Sequence, residues 1–451
     1  MFVWGSGCSH YQNDSDRLIA DWSVGNYIGA ANFSQQKVTD SGKTDRVLWL
    51  LEEGASMRAA GNLEQSQVVL EEARVLMREY ADGPSVSLTN EAGALITNLA
   101  SLPYRGTTYD RVMVCVYKAL NAVQLHRYED ARVEFNRILS EQRDAVQRNA
   151  ERIEKEQKKL ANRESRETAK AEKDKLSSLY VQTPGLEAFA NYVNPYATFL
   201  EGIYFSYFGV DGSDLERARF SLQRAYDMNP SNPYIAEDLA AANQRVAGKR
   251  PSPVTHVIVE NGFGPYKKGV RLDLPVFIVS KDVPYVGMNF PSLEFRPDPV
   301  HRYQVATQEH LVHTEMLSSM DRIISAEFNQ ELPLVITKTI VAATAKAAAQ
   351  YALREATKNA GLMGALVQVG GVIYQVAMNE ADLRIWSTLP KEVLYTRVPT
   401  PENGVIRIAP AGMLSAEAGL SIQVTPGKSN IVYLRIPTSY TSSYISVIPL
   451  P

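Results

Sequence analysis

Cysteine is nearly absent from this chain, whose 451 residues hold only Cys8 and Cys115. That excludes a disulfide framework, since a single bridge is the most the pair allows. An excess of one charge is missing too, with 47 basic against 50 acidic residues and a net charge of −3. Such a balance leaves no electrostatic footprint for nucleic acid, so none is expected as a partner. Clear membrane-spanning runs are also lacking. The uncharged stretch Gly361 to Asn379 is diluted by Gln368, Gln375, Gly364, Gly370 and Gly371, and reads as a buried helix between sheet layers or subunits.

Groupings that carry chemistry are scarce. His310-Leu311-Val312-His313, flanked by Glu309 and Glu315, is the histidine pair with metal-like spacing. On a helix the two imidazoles would share a face; on a strand they would point apart. No Glu follows His310 directly, as a metalloprotease motif requires, so surface or structural histidines are the plainer reading. Gly262-Phe263-Gly264-Pro265-Tyr266-Lys267-Lys268-Gly269 lacks the order of a phosphate loop, and Pro265 removes an amide donor. It reads as a turn between strands. No serine elbow or cysteine–histidine pair stands out, so no catalytic residue, resident metal or cofactor is assigned.

What is present is ordinary globular composition, 45% hydrophobic and 22% charged, with length for about three domains. The first half reads as paired helices. Leu63, Tyr128 and Leu215 each precede a Glu and a polar residue; Ser66, Ala131 or Ala218 follows, then Leu70, Phe135 or Leu222 four later. A small residue with an apolar one a helical turn on suits close antiparallel packing, as in tetratricopeptide (TPR) pairs. The copies are irregularly spaced, and a generic helical bundle is the alternative. Ser140 to Lys175 mixes both charges densely and reads as a long helical insertion at about 140–178, a possible contact arm.

Asn194-Pro195 supplies a cap and a first-turn proline for a helix over Tyr196 to Phe208. Its aromatics cover more than one face. Core packing accounts for most, and Tyr192, Tyr196, Tyr204 and Tyr207 are the candidates for a partner groove, since tyrosines commonly anchor interfaces. Gly248 to Pro253 then breaks the helical pattern as a linker. Beyond it, strand texture at Val254 to Glu260, Val270 to Leu274, Val276 to Val279 and Leu293 to Arg296 returns at Val393 to Arg397, Val405 to Ile408, Leu420 to Val424 and Ile431 to Ile436. A long helical region, Leu334 to Met378, lies between the two groups. The fold class is therefore multidomain α+β: a TPR-like helical array over 41–248 and an α+β domain over 249–451.

Cys8 follows the small residues Ser6 and Gly7 and precedes a polar stretch, so the start resembles the end of a bacterial lipoprotein signal. Gly5 stands where an aliphatic residue is usual. On this reading 1–40 is signal remnant, lipid anchor at Cys8 and flexible tether. A cytosolic chain with an incidental cysteine is the alternative.

With the Cys8 region, Ala225-Tyr226-Asp227-Met228-Asn229-Pro230, Glu260 to Pro265, Thr337-Lys338-Thr339 and above all Ala381-Asp382-Leu383-Arg384-Ile385-Trp386-Ser387-Thr388-Leu389-Pro390, the chain resembles a family of TPR-containing bacterial lipoproteins. The resemblance implies an outer-membrane-anchored protein facing the periplasm, with other envelope proteins as partners. It carries no catalytic residues. The expectation is a non-enzymatic scaffold, with a homo-oligomeric envelope ring formed through the C-terminal domain, or a metal-dependent hydrolase using His310 and His313, as alternatives.

Overall fold

The computed structural model describes residues 7–82, 100, 102–160, 170, 173–181, 194–275, 285–297, 300–357, 381–412, 419–439, 441 and 444–451. It is mixed α and β, a helical array followed by sheets with a long helix between their strands. The array comprises α1 (Gly7–Ser23), α2 (Tyr27–Asp40), α3 (Gly42–Ala59), α4 (Leu63–Asp82), α5 (Thr108–Gln124), α6 (Tyr128–Leu160), the short α7 (Lys173–Ser177), α8 (Pro195–Phe208), α9 (Gly212–Met228) and α10 (Pro233–Val246).

Local chemistry sets the helix starts. Thr107 and Asp110 form a reciprocal capping box on α5, and the Asn194 side chain accepts from the amides of Tyr196 and Ala197 with Pro195 in the first turn of α8. Between α3 and α4 the chain turns at Gly61, whose φ of 79° suits a residue without Cβ. The recurrent small and apolar positions face inward in all three hairpins: Ser66, Ala131, Ala218, Leu70, Phe135 and Leu222 are buried. Close approach is completed from the other helix. A Cβ on Gly54 would lie 2.5 Å from Leu70 Cδ2, and one on Gly202 2.6 Å from Leu222 Cγ.

The C-terminal half contributes β1 (Val254–Asn261), β2 (Tyr266–Pro275), β3 (Tyr285–Glu294), β4 (Tyr303–Ala306), β5 (Leu311–His313), β6 (Glu315–Ser319), α11 (Met320–Thr357), β7 (Glu392–Pro399), β8 (Val405–Pro410), β9 (Leu420–Gln423), β10 (Asn430–Ile436) and β11 (Tyr444–Pro449). They form a five-stranded sheet, β11-β10-β1-β7-β6, a four-stranded sheet, β5-β4-β8-β9, and a β2-β3 ribbon whose β3 lies against α11. In the large sheet β1 runs parallel to β10, with Ile258 beside Tyr433, and antiparallel to β7, with Ile258 opposite Tyr395.

Strand alternation divides that sheet between two cores. Ile258, Val393, Tyr395, Ile431 and Tyr433 join the array's apolar core, while Val257, Val259, Leu394, Val432 and Leu434 pack against Val305, Ile406, Ile408 and Ile422 of the small sheet. The order is array, large sheet, small sheet. Every residue of β1 is buried because both its faces are covered.

Several expectations change. The polar stretch after Cys8 is not a tether: it is helical from Gly7, and Tyr11, Leu18 and Trp22 are buried in the core. The linker lies between α10 and β1, yet one apolar core spans it, so the two halves share their interior. The charged insertion begins as an unbroken continuation of α6, and past α7 the Val181 amide and carbonyl bond the Asn329 side chain on α11. Strands β4, β5, β6 and β11 were not expected, and α11 starts at Met320 instead of Leu334. Val276 to Val279 and Gly361 to Asn379 lie outside the described residues. Among those residues no helix is long and apolar enough to cross a membrane.

Candidate functional site

The chain's own segment Ala381 to Pro390 packs against α1, α3 and α5 of the array. This strap has neither helix nor strand, yet Arg384, Ile385, Trp386, Ser387, Thr388 and Leu389 are all buried. Backbone buried outside regular structure needs side-chain partners, and the array supplies them. Glu52 on α3 accepts from the Ser387 amide at 2.6 Å and the Thr388 hydroxyl at 2.5 Å. On α1, Tyr11 donates its hydroxyl proton to the Ile385 carbonyl, and the Ser15 and Ser387 hydroxyls lie 2.6 Å apart.

Arg384 is the strap's anchor. Its guanidinium grips Asp382 through Nε at 2.8 Å and Nη2 at 2.7 Å, and its Nη1 reaches Asp45 Oδ1 at 3.0 Å, the Thr44 carbonyl at 3.0 Å and the Leu102 carbonyl at 2.8 Å. Two carboxylates and two carbonyls thus surround one buried cation, the fork geometry in which arginine excels. Trp386 meets the Tyr117 ring edge-on at 5.8 Å, and the sheet side closes the strap through Arg435 Nη2 to the Thr388 carbonyl at 3.1 Å.

Three further buried acids cross the same seam. Glu260 on β1 accepts from Tyr117 of α5 and Tyr196 of α8, each at 3.1 Å. Asp238 on α10 accepts from Tyr395 at 2.5 Å and Arg397 at 2.6 Å, both on β7. Tyr395 in turn touches His256 Nδ1 at 2.8 Å, whose Nε2 meets the Tyr207 hydroxyl at 3.0 Å. Glu327 on α11 accepts from the Thr108 and Tyr109 amides at 2.7 and 3.2 Å, placing negative charge at the N-terminus of α5.

Burial sets the protonation of these groups. Loss of hydration pushes the carboxyls of Glu52 and Glu327 up to about 7 and that of Asp238 up to about 6, despite the hydrogen bonds that oppose the shift. Desolvation, aided by the cations of Arg397 and Arg245, lowers His256 well below its ordinary value, so its imidazole is neutral. Each group is bonded within the chain, and what the arrangement does chemically is hold two halves together.

The residues singled out by sequence are scattered. Tyr196 and Tyr204 are buried, the first bonded to Glu260 and the second to the Tyr128 carbonyl at 2.7 Å; Tyr207 is half-buried against His256 under the Arg245 guanidinium. None of these three offers a free hydroxyl to a partner, because each is already bonded within the chain. Tyr192 lies outside the described residues. His310 sits in the exposed β4–β5 turn and His313 in β5, also exposed. Among the described residues no three His, Cys, Asp or Glu side chains gather as a metal site. Cys115 is a free, buried thiol, and Cys8 lies in the first turn of α1.

Sequence reasoning missed Glu52, Asp238, Glu260, Glu327 and His256. A signal existed for two of them: Glu52 ends the run Val47 to Leu51, and Glu260 ends Val257 to Val259. A carboxylate at the edge of so apolar a run needs a buried partner. Comparison with protein-family models, curated proteins and solved structures gives no match.

Proposed function

We propose that this chain is a non-enzymatic scaffold of the bacterial cell envelope, anchored by lipid at Cys8 and holding other envelope proteins on its outward surfaces. The observation that carries the reading is the strap. An array whose helices α1 and α3 are bonded to Ala381–Pro390 through Tyr11, Glu52 and Asp45 is braced by its own chain along that segment. The buried acids support the same view, since their acceptor atoms are spent on contacts within the chain. A stable frame that displays fixed outer faces raises the local concentration of whatever binds it.

The anchor fits this frame in a particular way. Tyr11 is buried three residues after Cys8, so an acylated Cys8 would hold the body against the bilayer without a spacer. Two or more acyl chains make such anchoring stable, at roughly 0.8 kcal/mol for each buried methylene. Labelling cells with a palmitate analogue tests the reading. Label on the wild-type chain, lost in Cys8→Ser, together with crosslinks to other envelope proteins, is expected; an unlabelled chain recovered from the cytosol contradicts it.

A second reading, a subunit of an envelope ring, is favoured by the β2–β3 ribbon. Its two strands form a sheet of their own among the described residues, and strand edges readily pair with another chain. Mass in solution separates a ring from a monomeric scaffold.

A further inference from the structure

The large sheet ends differently at its two edges. At the β6 edge, Asn229 and Asn232, between α9 and α10, donate their side-chain amides to the Met316 carbonyl, the second at 3.0 Å. That edge is capped from within. β11 forms the other edge, and its register on β10 shows which of its backbone groups are left over. Ile448 lies opposite Ile431, Ser446 opposite Tyr433 and Tyr444 opposite Arg435, and the Leu450 amide, in the same register, donates to the Ser429 carbonyl at 2.8 Å. Hydrogen-bonded residues alternate along an antiparallel ladder, so Tyr444, Ser446 and Ile448 turn their N–H and C=O groups toward β10. Those of Ile445 and Val447 point outward. Among the described residues no group of the chain bonds them there.

Natural sheets blunt their edges with charge, proline or shortness. β2 carries Lys267, Lys268, Arg271 and Asp273, while β5 is three residues long and β9 four. β11 has six residues, Tyr444-Ile445-Ser446-Val447-Ile448-Pro449, with no charge among them, and Tyr444 to Val447 are half-buried. Its side chains already serve both cores, Tyr444 and Ile448 on the array side and Ile445 and Val447 toward the small sheet.

We infer that β11 pairs antiparallel with β11 of a second copy about a twofold axis at Ser446, joining the two large sheets into one. The strand is symmetric in kind about that residue: bulky, β-branched, small, β-branched, bulky. Tyr444 therefore meets Ile448 of the second copy, and Ile445 meets Val447, pairs that favour a sheet. On the axis Ser446 faces itself. That is a non-hydrogen-bonded pair, in which Cα atoms approach to about 4.5 Å, and serine fits where a larger side chain would crowd. In this register every outward N–H and C=O of Ile445 and Val447 finds a partner. An axis at Val447 instead sets Ile445 against Pro449, which has no N–H to give. Such an isologous contact closes at two copies, unlike a ring. It goes beyond the scaffold reading and does not depend on lipid at Cys8.

Sedimentation equilibrium of the full chain tests the pairing. A mass of two copies is expected in the wild type. Val447→Pro removes an outward N–H that β10 does not use, so the fold is kept, as it is around prolines on natural edge strands. Dimerisation should weaken about tenfold or more, since a bond is lost at each end of the pairing. In a Cys8→Ser background, with Cys115 buried, Ser446→Cys should form a disulfide between copies on mild oxidation, seen as a band of doubled mass on a non-reducing gel. A monomer, a mass larger than two copies, a dimer equally tight in Val447→Pro, or Ser446→Cys chains that stay separate overturns the inference. If Val447→Pro melts early, Ser446→Lys takes its place, setting two like charges against each other on the axis, with the same weakening expected.

Discussion

Glu52 and Thr388, 336 positions apart in the chain, share a hydrogen bond of 2.5 Å in the interior. The same carboxylate holds the Ser387 amide, so one side chain of α3 fixes two consecutive residues of the strap. Replacing Glu52 with Ala leaves both donors buried and unpaired, which costs about 2–3 kcal/mol. Glu52→Gln keeps the shape and one acceptor and costs about 1 kcal/mol. Urea unfolding of the two variants measures the difference.

Stability should depend on pH in a defined direction. The carboxyls of Glu52, Glu53 and Glu327 are raised to about 7 in the folded chain from 4.5, by burial first. A raised folded value means that folding takes up protons, so the stabilising contribution is complete below the unfolded value and is lost as pH rises through 7. His256 acts oppositely, since its depressed value removes stability as pH falls below 6.5. The clean window is therefore about pH 8 to 6.5. The melting temperature is expected to rise as pH drops across it, and Glu52→Gln/Glu327→Gln to flatten the slope.

Removing Asp238 strands a charge. Arg397 keeps its 2.6 Å contact with this carboxylate in a site where the acid is 3% exposed. Asp238→Ala leaves a buried guanidinium without its main partner, a loss of about 3–5 kcal/mol. Hydrogen exchange should show α10 freed from β7 before the sheet itself opens.

Close packing inside a hairpin is tested at Gly202. A Cβ there meets Leu222 Cγ at 2.6 Å and the Leu222 backbone nitrogen at 3.2 Å. Gly202→Ala should lower stability by about 1–3 kcal/mol through overpacking, offset in part by up to about 1 kcal/mol of helix propensity. A more stable variant would show that α8 and α9 have room to separate. Thermal melts decide it.

Much of the fold was legible because the hairpins repeat. The small and apolar positions at Ala218 and Leu222 mark a helix face wherever they occur, and the β-branched runs of β1, β7 and β10 announce strands buried on both faces. Pairing was not legible. Thr255 lies beside Asn430 through a parallel register that no local pattern encodes, and short polar strands such as Glu315–Ser319 exist only because β7 completes them. Tyr196 and Tyr204 invited a binding reading because tyrosine serves cores and interfaces alike; only the position of Glu260 opposite Tyr196 distinguishes them. The strap was visible as a distinctive phrase, but its fit against Tyr11 and Glu52 depends on contacts across more than 300 positions.

The central claim is that the strap Ala381–Pro390 lies locked against α1 and α3 of the array. Ser15 and Ser387 test it most directly, since their hydroxyls are 2.6 Å apart across 372 positions of sequence. In a Ser15→Cys/Ser387→Cys variant, mild oxidation of the native protein should join α1 to the strap, seen as a faster band on a non-reducing gel and a crosslinked peptide by mass spectrometry. Two thiols that stay separate and react freely with an alkylating agent in the folded protein would contradict it.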